Sequence, residues 1–598
     1  MKLSYSQKRY IQKHYPKESV ETISKRKKIP EDLILQHVAS NTRLIKEEVK
    51  NPATTVKLRR TEHIPYLVLL ILLIIISYTN GFFADFVSDD VYAILRNESQ
   101  IQSPNYLFIA PTMILRSLQY LIAYKIGGLT PFLFRAWNII FHIGFGWMTY
   151  LIVPYFSKKK FLPFIVASFA AIHPMMIESV TWISGGIYAQ AGFSLLVSFY
   201  LYLQYKTQNI KKYLIYSIVS FIVALTGSEK VIIFPFIIGL YEFTFGSVRK
   251  NWLLIGSYFS VSFIWGLIIL TRITERLEYL AVSQGATASF RLENPFVQIP
   301  SAFGTYLQLF IWPQHLTLYQ SEFHFSPIQF LFLLILSLLL FGIIFISYRK
   351  NKSVFFWLSF FIITLLPTLN PFGLSWLVAE RYSYLGSIGL YFAFSVLLYK
   401  LIESKTYQTL GYIIFSVLLL AFSVRTIVRN VDWQNEDNLW IATGKASPSD
   451  PKTHNNLGDY YARKGDLQNA AKEFSRAIEL SPRYPDAHHN LANILRQMGQ
   501  IEEAEKLYIR AAELNPALWQ SYQNIASIHF EKEDYEGAEA YTKKAIEAFP
   551  TNPQLYANLA VVYVRENKKD LGVEAFQKAL QLDPQNETAL QGIKELSK

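Results

Sequence analysis

Apolar positions along this chain follow two different patterns. Between residues 64 and 426 they run in nearly unbroken blocks, and after residue 451 they recur at helical spacing inside a longer period. Blocks long enough to cross a bilayer as helices lie near 64–80, 131–155, 161–183, 187–206, 212–228, 231–247, 252–270, 327–348, 354–375, 384–402 and 408–426, which predicts about eleven spans. The stretch 301–319 is equally apolar but has Pro313 within it, and reads as a re-entrant or interfacial segment. Residues 105–127 set Arg116 in an apolar context and read as an amphipathic helix on the membrane surface.

From residue 451 the same small and large residues return every 34 positions, the length of a tetratricopeptide helix–turn–helix repeat. Leu457, Gly458, Tyr461, Ala470, Phe474, Ala477 and Pro482 set a pattern that recurs over 491–516, 525–550 and 559–584. The small residues let paired helices approach, the large ones fill the gap, and the Pro stops the second helix. The third copy departs once: Thr542 takes the aromatic position. The expected fold is all-α, a polytopic membrane domain followed by a C-terminal tetratricopeptide solenoid. The expected divisions are a basic segment 1–60, a membrane domain 61–430 with outer loop 81–130, a linker 431–450, and four repeats plus a cap helix in 451–598. The concave face of such an array suits an extended protein or peptide segment, with a scaffold for oligomers as the other reading.

Charge orients this plan. Residues 1–60 carry 15 Lys and Arg against 6 Asp and Glu, whereas 451–598 carry 18 against 21. That asymmetry argues against nucleic acid as a partner and lays the basic head on the anionic inner leaflet. Basic loops at 157–160, 206–212, 248–250, 348–352 and 399–405 then fall on the cytoplasmic side. The acidic stretch "DFVSDD" and the repeats fall on the extracytoplasmic (lumenal or outer) side. Tyr and Phe number 38 and 44, a load that suits interfacial belts, with Trp312 and Trp440 expected as anchors. The absence of Cys excludes disulfides, thiolate ligands and cysteine nucleophiles. The mostly polar first sixty residues do not read as a signal peptide.

Ionisable groups bordering membrane spans are costly, so each is a candidate for function. Asp89 and Asp90, His173 and Glu178, Glu229 and Lys230, and Glu380 and Arg381 all fall on one predicted face. Acids and cations at a membrane surface, with no thiol and no phosphate-cradling Gly loop, suit group transfer from a lipid-linked donor. A phosphate leaving group needs a cation to hold it, so one carboxylate suffices as the base toward an acceptor hydroxyl. Arg381, with Arg116 or Lys230, is placed to clamp that phosphate. Structural readings stand beside these: solvated loop acids, a Glu380–Arg381 or Glu229–Lys230 ion pair, His173 capping beside Pro174, and His142 in an interhelical hydrogen bond. His173 and Glu178 suggest a divalent ion as well, but nothing else sits at ligand spacing, so no cofactor is assigned. Asn97 opens a glycosylation-type triplet.

The stretches "DDVYAILRN", "HPMMIESVTWISG", "FIWPQHLTLY" and "AERYSYLGSIG", followed by the repeats, resemble the transmembrane and tetratricopeptide-repeat-containing O-mannosyltransferases. So do "TPFLFRAWNIIFHIGFGWM", with Asn138 and His142, and "RNVDWQNEDNLW"; the resemblance covers about 64–598. It implies a polytopic transferase of the GT-C class that moves mannose from a polyprenyl-phosphate donor to hydroxyls of a protein acceptor. Asp89 and Asp90 match the family's paired acids, one of them the base. Glu178 matches its second-loop acid and Arg381 the Arg of its "ERY" motif. This chain departs at 184–188, losing an Arg and an Asp, and at 227–229, where the Lys is displaced to 230. The rival expectations are a non-enzymatic membrane-anchored repeat scaffold and a GT-C enzyme with a glycan or lipid acceptor.

Overall fold

A computed structural model describes residues 3–15, 20–27, 29–39, 60–271, 294–314, 316–318, 326–369 and 377–597. The described residues are all-helical, with no strand among them. Among the described residues, six helices are long and apolar enough to cross a membrane: Glu62–Gly81, Pro131–Tyr155, Gly186–Gln208, Trp252–Leu270, Pro327–Lys350 and Gln408–Asp432. The block 161–183 is broken, because Leu162–Ile172 and Pro174–Val180 meet at 56°. His173 between them is extended, at φ −64° and ψ 133°. The following proline explains this, since its ring disfavours the helical region for the residue before it.

Four further blocks form the shorter helices Lys211–Leu225, Phe234–Phe245, Lys352–Leu365 and Ile388–Glu403; the end of the block 354–375, from 370 on, lies outside the described residues. Length and composition therefore support six crossings, or seven with the bent pair, and the expected count of eleven does not have that support. The segment 301–319 is helical within Pro295–Ile311 and ends before Pro313; His315 and Tyr319 lie outside the described residues. Its Gly304 lies so close to the next helix that a Cβ would meet the Leu333 carbonyl oxygen at 2.5 Å. Within 105–127, the helix Ile114–Gly127 buries Tyr120 and Ala123 against Phe134 and Ile94.

The described part of the basic head folds on itself. Helices Tyr5–His14, Val20–Lys27 and Glu31–Ala39 close over Ile11, Ile23 and Ile34. Residues 40–59 lie outside the described residues.

Between membrane helices and repeats runs the helix Glu436–Ala446. Trp433, Leu439 and Trp440 belong to the same core as the membrane helices, and Trp433 stacks on Trp182 at 5.8 Å. Trp440, expected as an interfacial anchor, is instead buried, because the bridging helix packs into the bundle; Trp312 is 66% exposed. Four helix pairs follow, from Pro451–Arg463 with Leu467–Leu480 to Pro553–Arg565 with Lys569–Leu582, and Glu587–Leu596 caps them. Phe474, Tyr508 and Phe576 fill the gaps in their repeats. Thr542 instead turns its hydroxyl back to the Ala538 carbonyl, and a cavity of about 240 Å³ remains between Gln523, Ala526, Phe530, Asn558 and Val561.

Candidate functional site

Acids and cations from distant parts of the chain meet where five helices end together. These are the C-terminal ends of Arg60–Tyr78, Ile177–Val180 and Gln408–Asp432 and the N-terminal ends of Pro131–Ile152 and Gly186–Gln208, and the turn Glu380–Ser383 adds Glu380 and Arg381. Burial divides the first pair: Asp90 is fully buried and Asp89 is exposed. Ser184 donates its backbone N–H, at 2.7 Å, and its hydroxyl, at 2.5 Å, to Asp90 Oδ1, and the Val87 N–H approaches Oδ2 at 3.3 Å. Burial pushes the Asp90 carboxyl up to about 6, against the pull of the Ser184 hydrogen bonds and of Arg135. Asp90 thus ties the loop to the turn before Gly186–Gln208. That turn leaves no room for larger residues: a Cβ on Gly185 would meet the Glu178 carbonyl oxygen at 1.8 Å, and one on Gly186 the Asn138 Oδ1 at 1.8 Å.

Asp89 follows Ser88, whose φ of 55° is unusual for a residue with a side chain. The Ser88 N–H donates to Glu436 of the bridging helix at 3.2 Å, which helps hold that conformation. The charge of Asp89 is felt by Arg381 and, from the first repeat, by Lys452.

Glu178 and Arg381 form a buried pair. The Arg381 backbone N–H donates to Glu178 Oε2 at 2.9 Å and its Nη1 at 3.2 Å, with the guanidinium against the Trp182 and Tyr382 rings. Glu380 turns the other way, accepts from the Thr317 N–H at 2.6 Å, and faces Arg429 at 3.6 Å. Glu380 and Arg381 therefore take different partners and do not pair with each other. One oxygen on each acid, Glu178 Oε1 and Glu380 Oε2, has no hydrogen-bond partner among the described residues.

The remaining candidates lie around this cluster. Lys230 sits over the Tyr382 and Tyr188 rings and shares with Arg381 a tight cleft of about 30 Å³. Glu229 begins the turn Glu229–Ile233 beside it. Arg116 lies over the Tyr120 ring at 5.7 Å, on the separate helix Ile114–Gly127. His173 is used in the helix break: its ring contacts the Phe310 carbonyl at 3.0 Å, accepts from the Met175 N–H at 3.3 Å, and packs on Phe310, Tyr391 and Phe422. His142 bridges Tyr384, at 2.7 Å, and the Ala171 carbonyl, at 2.8 Å. No group of three or more His, Cys, Asp or Glu among the described residues is arranged to hold a metal ion.

Two arginines stand out that sequence reading passed over. Arg135, 1% exposed, donates to the carbonyls of Thr181 (2.6 Å), Phe82 (3.0 Å), Ala84 (2.7 Å) and Asp85 (3.0 Å), and so fastens the acidic loop. Arg429 lies between Glu380 and Asp432. Each is a cation inside an apolar run, and that signal was present in "FLFRAWNII" and "TIVRNVDW".

Comparison with known proteins found similarity over part of the chain. The family model of the tetratricopeptide repeat matches residues 461–525 and 529–596. The protein O-mannosyl-transferase Tmtc2 of Drosophila melanogaster is 33% identical over 123 residues, 20% of this chain and 13% of its own length. The human protein O-mannosyl-transferase TMTC3 is 27% identical over 129 residues, 21% of this chain and 14% of its own. The mouse protein O-mannosyl-transferase TMTC4 is 30% identical over 130 residues, 21% and 17%. The chain thus matches only a small part of the length of these relatives. Among solved structures, MamA is similar at 19% identity and a TM-score of 0.24, over 27% of this chain and 94% of its own. YrrB, a TPR protein with an unusual peptide-binding site, gives 20% and 0.24, over 33% and 97%. The chain is a helical membrane protein that ends in a tetratricopeptide array, and its curated relatives are named protein O-mannosyl-transferases.

Proposed function

We propose that this protein transfers a sugar, mannose in the first instance, from a polyprenyl-phosphate donor to a hydroxyl of a protein acceptor. In this reading Asp89 is the base. The acceptor oxygen attacks the anomeric carbon, the bond from that carbon to the phosphate oxygen breaks, and Asp89 takes the hydroxyl proton. The phosphate leaves as an anion and needs no proton. Arg381 supplies positive charge toward it, with Lys230 and Arg116 in the wider cationic surround. Glu178 fixes the Arg381 guanidinium, and Asp90 with Arg135 sets the loop that carries Asp89. Glu380 and Glu229 support the neighbouring turns, and His173 supports the helix break. The N-terminus is assigned to the cytoplasm, and the site and repeats to the extracytoplasmic side, by the distribution of basic loops, which requires an odd number of crossings such as the seven reached when the bent pair counts as one span. The array, close enough for Lys452 to sense Asp89, presents the acceptor.

The observation that carries the proposal is an exposed carboxylate, Asp89, on a loop that Asp90 ties to Ser184, at the same end of the bundle as the buried Glu178–Arg381 pair. The test incubates purified protein with a panel of labelled polyprenyl-phosphate sugars and asks which label reaches protein. Asp89→Asn should lower transfer roughly 10²- to 10⁴-fold, the usual contribution of a general base. Full transfer by the variant removes Asp89 as the base, whereas a scaffold moves no label even as the wild type, so absence of transfer from every donor in the panel overturns the enzyme reading.

A further inference from the structure

A cavity of about 430 Å³ opens where the helix Gln408–Asp432 meets the bridging helix Glu436–Ala446 and the chain beside Gln314. Arg425, Arg429 and Lys445 line it, with Asp432 the carboxylate in its wall. Arg429 is 1% exposed and gives Nη1 to Asp432 at 2.8 Å. Its Nη2 lies 3.6 Å from Glu380, beyond hydrogen-bond reach, and neither Nη2 nor Nε has an acceptor among the described residues. Unmet donors on a buried guanidinium are uncommon and point to a missing partner. Arg425 donates Nε and Nη2 to the Pro313 and Gln314 carbonyls at 2.9 and 3.0 Å, which fixes the group without neutralising it. Lys445 is exposed and makes no ion pair among the described residues.

A planar donor fork beside two further cations matches the oxygens of a phosphate group. The cleft at Lys230 and Arg381, at about 30 Å³, has room for little more than one water. An exposed apolar stripe, Ile413, Val417, Leu420, Val424 and Val428, runs along the same long helix to Val431, which lines the cavity. Such a stripe suits the hydrocarbon tail of a lipid whose head sits among the cations.

We propose that this cavity is a binding site for the phosphate group of a long-chain lipid monophosphate, with Arg425, Arg429 and Lys445 as its ligands. The anion site stands on its own geometry; only the identification of that lipid as the donor, or as the carrier left after transfer, rests on the proposed function. Full-length protein in phosphatidylcholine nanodiscs is titrated with undecaprenyl monophosphate, with inorganic phosphate as competitor. Saturable binding is expected, weakened at least tenfold by Arg425→Gln combined with Lys445→Gln and unchanged by Lys400→Gln, a remote surface control. Lys445 is exposed, so Lys445→Gln alone keeps the wild-type melting temperature and should still weaken binding severalfold. Wild-type affinity in these variants overturns the site. Complete displacement by millimolar inorganic phosphate overturns its assignment to a lipid. Binding is read without turnover: lipid capture by a chain that moves no sugar upholds the site and ends the transferase reading, and transfer by a chain with no such capture does the reverse.

Discussion

At the scale of single residues, two adjacent acids have been given different work. Asp89 meets solvent, whereas Asp90 spends its oxygens on Ser184 and Val87. Sequence alone supplied the pair but not this division, because burial depends on Arg135 and Ser184, which lie 45 and 94 positions away. The same limit hid the link between Glu178 and Arg381, groups 203 residues apart. Burial has a consequence for pH. Burial pushes the Asp90 carboxyl up to about 6, above the ordinary aspartate value near 3.8, so the folded chain holds its proton more tightly than the unfolded chain. Its contribution to stability is therefore full below about pH 4 and is lost as pH rises through 6, a change of about 3 kcal/mol. Asp90→Asn removes that titration. Thermal unfolding in detergent should show the variant gaining on the wild type between pH 4 and 6, and parallel curves would refute the assignment.

Elements were legible where a pattern is local. Apolar blocks gave helices at all the predicted places, and the 34-residue period gave four hairpins in register. Span lengths were not legible, because a helix end depends on backbone geometry that average hydropathy smooths over. Pro174 breaks one block in two, and the turn Glu229–Ile233 shortens the helices on either side. Arg135 and Arg429 were overlooked for a related reason: a single cation barely lowers the mean of a long apolar window. The lapse at Thr542 was visible in the sequence, and its cost is now physical, a cavity where sister repeats have a ring. Thr542→Phe should restore that ring and stabilise the array by about 1 kcal/mol, the usual scale for filling a cavity. A lowered melting temperature would mean that the surrounding helices cannot accept a ring.

At the scale of the whole molecule, the membrane part and the repeats share packing. Leu457 of the first repeat packs on the membrane core, Thr317 and Ser447 are in hydrogen-bond contact at 3.0 Å, and Asp85 donates its backbone N–H to the Gln434 carbonyl at 2.8 Å. Cutting the chain at 450 would strip that core, so a cut after Pro482, which keeps the first repeat, is the cleaner test of the division of labour. Such a truncation should retain transfer to a small hydroxyl acceptor and lose most transfer to protein, as measured by label incorporation into each. Equal loss of both would assign the repeats to the chemistry itself.

The helix Glu436–Ala446 sets a last expectation, because it is wedged into the bundle through Leu439 and Trp440 and leaves little slack between Asp89 and the first hairpin. A polypeptide gripped along the solenoid would then be offered to the acid at a near-constant offset. Modified hydroxyls should recur at a regular distance from the gripped stretch, like marks on a tape, rather than scatter along the acceptor.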